Sequence, residues 1–175
     1  MTTSEPVSGT DDLEGLGASS FDQARFREVL GHFATGVTVV TAMEDGQPVG
    51  FTCQSFTSLS LDPPLVALAP AKSSTSWPRI AQAGAFAVNI LSDGQEALCR
   101  DFAVSGGDKF AGVGWRVGAA GTPILDGVLC WIECQLGIIH DAGDHELVTG
   151  RVLDLGIGDG GPLLFYRGGF GRFTP

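Results

Sequence analysis

From residue 36 to residue 167 the sequence is cut into short β-branched and apolar runs, each closed by turn residues. That spacing leaves little room for crossover helices and constrains the fold more than any other feature. Gly36-Val-Thr-Val-Val-Thr-Ala42 reads as a buried strand, Glu44-Asp-Gly46 as a hairpin turn, and Pro48-Val-Gly-Phe-Thr-Cys53 as the returning strand. Residues 55–60 alternate hydroxyls with Phe56 and Leu59, Asp62-Pro-Pro64 is expected to stop regular structure, and 65–69 is a further strand. Strands are also expected over 86–91, 128–140, 146–155 and 162–167, with an irregular loop over 106–121 that contains Trp115.

Three helices fit between them. Phe21, Arg25, Phe26, Val29, Leu30 and Phe33 follow helical spacing, with Asp22 as N-cap and Gly31 as breaker. Residues 77–83 form a second helix, with Pro78 in its first turn and Gly84 at its end. Ser92 or Asp93 is expected to cap a third, whose Leu98 and Phe102 share one face. Six or seven strands with hairpin turns and no βαβ alternation predict a mainly β fold, an antiparallel barrel with a few short helices.

Composition narrows the function. Ten Lys plus Arg stand against twenty Asp plus Glu, for a net charge of −10, and only Lys72 and Lys109 are lysines. Nucleic-acid binding needs basic surface to neutralise phosphates, and docking on an anionic membrane needs the same. Neither partner suits this chain. Residues 1–20 read as a disordered acidic tail ahead of a single domain over 21–175, and they lack the basic and apolar regions of a secretory signal. Cys53, Cys99, Cys130 and Cys134 show no metal-binding spacing and read as reduced thiols, so the protein is expected in the cytoplasm. Phe outnumbers Tyr eleven to one, which reads as aromatic core.

No nucleophile elbow, Walker motif or dinucleotide fingerprint after a strand occurs. His140, Asp141, Asp144 and His145 could gather a metal or simply make a solvated hairpin turn. The run 52–60 packs five hydroxyls and an amide between two strands. It could hold a flavin ring edge and ribityl chain through neutral hydrogen bonds, or be ordinary Ser/Thr-rich strand. Lys72-Ser-Ser-Thr-Ser-Trp77 sets a cation and four hydroxyls before a helix, either as a phosphate site or as a plain N-cap.

Residues 26–41 and the run Pro48-Val-Gly-Phe-Thr-Cys-Gln-Ser-Phe-Thr-Ser-Leu-Ser-Leu-Asp-Pro-Pro-Leu-Val66 resemble the short-chain flavin reductases. Asp108-Lys-Phe110, Gly143-Asp-His145 and Pro162-Leu-Leu-Phe-Tyr-Arg-Gly168 recur in that family in the same order, so the resemblance spans about 26–170. It implies a split β-barrel, usually homodimeric, that uses NADH or NADPH to reduce FMN or FAD for a partner flavin-dependent monooxygenase. By matching motif, Pro48, Val49, Gly50, Phe51, Thr52, Cys53, Gln54, Ser55 and Ser58 would line the flavin, with Ala69, Pro70 and Ala71 passing along it. Lys72, Thr75 and Ser76 would take phosphate, while His145, Phe165, Tyr166, Arg167 and Gly168 would contact the nicotinamide nucleotide.

One departure stands out. Relatives often carry Arg before the residue matching Phe102, whereas this chain has Asp101 there and Arg100 one step earlier. No Arg suited to a nucleotide 2′-phosphate is evident, which favours NADH. The resemblance also leaves open a non-enzymatic flavin- or heme-binding split barrel. It leaves open a pyridoxamine-phosphate-oxidase-like enzyme too, although so few lysines suit that poorly.

Overall fold

The computed structural model describes residues 20–174, so the expected acidic tail lies almost wholly outside the described residues. The fold is mainly β. Helix α1 spans Gln23–Leu30; the Asp22 carboxylate accepts the Arg25 backbone N–H at 2.8 Å and Gly31 closes the helix, as its sequence predicts. Strand β1 (Thr35–Gly36) is short and precedes the hairpin of β2 (Thr38–Glu44) and β3 (Gln47–Cys53). That hairpin pairs in register from Thr38↔Cys53 to Glu44↔Gln47. Its two-residue turn places Asp45 at φ 48° and Gly46 at φ 76°, the positive-φ pair that such a turn requires.

Asp62-Pro-Pro64 does not stop regular structure. It turns β4 (Thr57–Leu61) directly into β5 (Pro64–Leu68), with Leu61 opposite Pro64 and a cis peptide between Asp62 and Pro63. Proline at a strand's first residue removes no hydrogen bond that the pair needs, which the sequence reading overlooked. Helix α2 (Trp77–Ala83) ends at Gly84, φ 73°, and feeds β6 (Ala85–Ile90). Helix α3 (Glu96–Ala103) starts one turn later than a Ser92 or Asp93 cap would place it. Its N-cap is Gln95, whose side-chain oxygen accepts the Ser92 N–H at 3.0 Å while its amide donates to the Asp126 carbonyl at 2.8 Å.

The segment expected as irregular loop, 106–121, contains strand β7 (Trp115–Val117), which forms a small hairpin with β8 (Pro123–Leu125) just beyond it. Too few residues alternate there for a periodicity reading to find it. The two long strands are β9 (Cys130–Ala142) and β10 (His145–Ile157), joined by a tight turn, and the chain closes with β11 (Leu163–Tyr166) and β12 (Gly169–Arg172).

The main sheet has seven strands, all antiparallel, in the order β3-β2-β6-β9-β10-β5-β4. A second sheet, β1-β11-β12, lies beside it. Two apolar clusters fill the interior. One sets Val40, Leu68, Ile80, Phe86, Val88 and Val148 between the sheet and α2; the other gathers Val39, Leu91, Phe102, Phe110, Leu125 and Leu163 around α3. All four cysteines are free thiols. Burial raises the Cys53 thiol and pushes Cys134 up to about 12, where Glu133 beside it adds to the effect.

The expectation that the aromatic content is core fails for α1. None of its residues is buried, and Phe26, Val29 and Leu30 are about half exposed, with Phe33 beyond its end at 78%. The helix packs off the barrel, and its apolar side is left half exposed among the described residues.

Candidate functional site

A cleft of about 410 Å³ opens where four pieces of backbone converge. They are the end of β3 with its continuation (Phe51 to Ser55), the exit of β5 (Ala69 to Ala71), the turn into α2 (Ser73 to Ser76) and the end of α3 (Phe102 to Ser105). Lys109 and His145 complete the lining. Antiparallel pairing fixes this convergence, because β3 and β5 lie on opposite sides of the main sheet while α2 and α3 pack against β2 and β3.

Local hydrogen bonds hold each wall. The Ser55 hydroxyl both accepts the Ala69 N–H and donates to the Ala69 carbonyl, each at 2.9 Å, so it locks the β5 exit to the segment after β3. The Thr52 hydroxyl donates to the Cys99 carbonyl at 2.6 Å and anchors α3. The Ser74 hydroxyl accepts the Trp77 N–H at 3.1 Å, so Ser74 rather than Ser76 supplies the side-chain cap for α2. His145 Nδ1 lies 2.7 Å from Asp144 Oδ1, and this contact holds the Asp144 carboxyl below its ordinary pKa.

The two lysines separate in role. Lys72, read from the sequence as the phosphate cation, instead pairs with Asp141 at 2.6 Å and does not line the cleft. Lys109 takes the central place. Its ammonium donates to the carbonyls of Phe102 (3.0 Å) and Gly50 (3.2 Å) and reaches the Ser76 hydroxyl at 3.5 Å. All three acceptors are neutral, so the charge is held but not cancelled. Lys72, Arg79 and Arg100 each face a carboxylate instead. Burial lowers the Lys109 pKa below the usual lysine value.

Pro48, Val49 and Gly50 line an adjoining cleft of about 330 Å³ with Arg79, Gly106 and Gly107, which meets the first at Thr75, Ser76 and Lys109. Phe165, Arg167 and Gly168 lie across a third cleft, of about 750 Å³, against α1. It touches the first through Gln54. Tyr166 packs edge-on against His32, and Ser58 is exposed on β4, outside all of these clefts. The sequence reading missed Phe102 to Ser105 and the place of Lys109 in the cleft; the signals for Lys109 were the scarcity of lysine and the Asp108-Lys-Phe110 motif. Arg100 offers no replacement for the charge absent at Asp101. It pairs with Glu96 at 2.7 Å and stacks over Phe170 at 4.8 Å, facing the C-terminal hairpin. Among the described residues no group of His, Cys, Asp and Glu is placed to hold a metal ion.

The flavin reductase like domain matches residues 30–174, the stretch that builds the first two clefts and all of the third except its α1 side. The chain belongs to this family. Among relatives of this flavin reductase is the reductase subunit HsaB of a flavin-dependent monooxygenase from Rhodococcus jostii. It is 48% identical over 161 residues, covering 91% of this chain and 83% of that one. The FMN reductase (NADH) SmoA of Agrobacterium fabrum is 46% identical, with 85% of each chain covered. In structure, the reductase resembles the NADH:FAD oxidoreductase SgcE6 of Streptomyces globisporus, solved in complex with NAD and FAD fragments. That match has a TM-score of 0.83 and 38% identity, over 88% of this chain and 94% of that one. The split-barrel expectation is borne out.

The residues present fit a flavin phosphate. Neutral hydroxyls and backbone suit the ring and ribityl chain, and one uncompensated cation suits the anion.

Proposed function

We propose that this flavin reductase transfers hydride from NADH to FMN or FAD and supplies the reduced flavin to a separate flavin-dependent monooxygenase. The observation that carries the reading is Lys109, an uncancelled cation at the junction of two clefts whose first wall also bears His145. The flavin ring supplies the hydride-accepting chemistry. The chain's residues do the positioning, which for two stacked rings is the main catalytic contribution. Phe51 to Ser55 and Ala69 to Ala71 form the ring-side walls. Thr75, Ser76 and Lys109 face the phosphate, a place the sequence reading gave to Lys72. His145 borders the open side, where it orients the nicotinamide rather than serving as an obligatory base. Phe165, Arg167 and Gly168 extend that side beyond Gln54. The relative SmoA, an FMN reductase (NADH) 46% identical to this chain, supports NADH over NADPH.

The exposed face of α1, together with the apolar clefts beside Phe33, supports a homodimer. Four free thiols suit a reducing cytoplasm. No helix among the described residues is long and apolar enough to cross a membrane. The deciding assay measures NADH and NADPH oxidation with FMN, FAD and riboflavin. Flavin-stimulated NADH oxidation is expected, and flavin binding without any nicotinamide oxidation would overturn the reading in favour of a non-enzymatic flavin carrier.

A further inference from the structure

The tip of the β9–β10 hairpin is fastened to the opposite wall of the cleft at several points. His145 makes an antiparallel bridge with Ala71, Lys72 N–H donates to the Asp144 carbonyl at 3.0 Å, and Glu146 N–H donates to the Pro70 carbonyl at 3.0 Å. Two side-chain contacts close the seam. Lys72 pairs with Asp141 at 2.6 Å, and the Trp77 indole N–H donates to Glu146 Oε2 at 2.5 Å.

These contacts differ in weight. The Lys72–Asp141 pair is open to solvent on both sides, 40% and 58% exposed, and an exposed ion pair contributes little. Trp77 is 3% exposed and Glu146 is half-buried, so their bond is a charge-assisted one shielded from water. Trp77 is also the first residue of α2 and packs edge-on against Phe51 in the cleft wall, ring centroids 6.4 Å apart. Glu146 therefore grips, through a single indole, both the hydroxyl-bearing turn before α2 and a wall of the ring-side cleft. Its neighbour in sequence is His145.

We propose that Glu146 is a positioning residue for the hydride transfer. By holding Trp77 it sets His145, on the nicotinamide side, at a fixed distance from the flavin side of the cleft. This inference rests on the proposed NADH:flavin reaction. Its chemistry requires only a hydrogen-bond acceptor at position 146, and a neutral amide oxygen serves as well as a carboxylate in that respect.

The test compares Glu146→Ala, Glu146→Gln and Trp77→Phe in the full chain. It measures kcat, KM for NADH, flavin affinity by fluorescence and thermal unfolding. Glu146→Ala and Trp77→Phe are expected to raise KM for NADH about tenfold, the scale of one lost hydrogen bond to a charged group. Flavin affinity should change less than threefold and Glu146→Gln should recover most of the loss. A lower melting temperature with unchanged KM would overturn the proposal, as would Glu146→Gln being as impaired as Glu146→Ala. Should Trp77→Phe fail to fold, the two Glu146 variants decide between these outcomes alone. A wild-type protein that oxidises no NADH defeats the reaction itself, whereas an active wild type with an unaffected Glu146→Ala defeats only the positioning role.

Discussion

The ammonium of Lys109 donates to the backbone carbonyl of Gly50 at 3.2 Å, across 59 residues of sequence. With its bond to Phe102 and its approach to Ser76, this ties the loop after α3 to β3 and to the turn before α2. The same group that closes the cleft therefore also charges it.

Replacing that charge should separate phosphate recognition from ring recognition. Lys109→Met is expected to weaken FMN and FAD binding roughly 10- to 100-fold, the range for losing a hydrogen bond to a charged group. Riboflavin, which has no phosphate, should lose far less. The ratio of FMN to riboflavin dissociation constants in the variant checks this, since any general destabilisation cancels. Lys72→Met should leave the ratio unchanged, because Lys72 faces Asp141 and not the cleft.

Gly50 has a second constraint. A Cβ there would lie 2.8 Å from the Phe102 ring and 3.0 Å from the Val40 carbonyl oxygen. Phe102 is fully buried and packed edge-on to Phe110, so neither neighbour yields easily. Gly50→Ala should cost about 1–3 kcal/mol by overpacking, measurable as a lower urea midpoint with an unchanged slope.

The seam at the hairpin tip should weaken in acid. Its side-chain hydrogen bond with Lys72, then that lysine's charge, holds the Asp141 carboxyl below its ordinary range, and His145 does the same for Asp144. A depressed folded-state pKa gives stability that is present above the unfolded carboxylate value of about 3.9 and is lost as pH falls through the lower folded value. Protection of the Lys72 amide against hydrogen exchange should therefore fall below that range. Asp141→Asn should largely abolish the pH dependence arising from the Lys72 pair.

The uncovered side of α1 predicts an oligomer. Phe33→Asp, at a position 78% exposed in one chain, should shift sedimentation toward the monomer without unfolding the barrel. A wild-type protein that sediments as a monomer at micromolar concentration would contradict the homodimer.

Much of this fold was legible from local signals. Asp22, the Asp45-Gly46 turn, Pro78 and Gly84 each act within a few residues, so their effects could be read directly. Asp62-Pro-Pro64 misled because a diproline suggests a stop unless its place at the head of β5 is known. The third helix was misplaced because Gln95 closes the turn with its side chain, a role that Ser92 and Asp93 fill more often. Cleft-lining residues on the 48–55 and 69–76 segments, Lys72 apart, were reachable because the motif is contiguous. Lys109 was different: three acceptors from three separate elements define its role, and no local pattern encodes them. Lys72 illustrates the converse, since a cation beside hydroxyls in sequence turned toward a carboxylate 69 residues away.

Holding a cation with neutral oxygens has a further result in a chain of net charge −10. The attraction is confined to a few ångströms around one ammonium, and beyond it the field is repulsive to anions. Under the phosphate role proposed for Lys109, a phosphate leaving that ammonium would meet net repulsion, so the field that slows the entry of anions would also hasten their release.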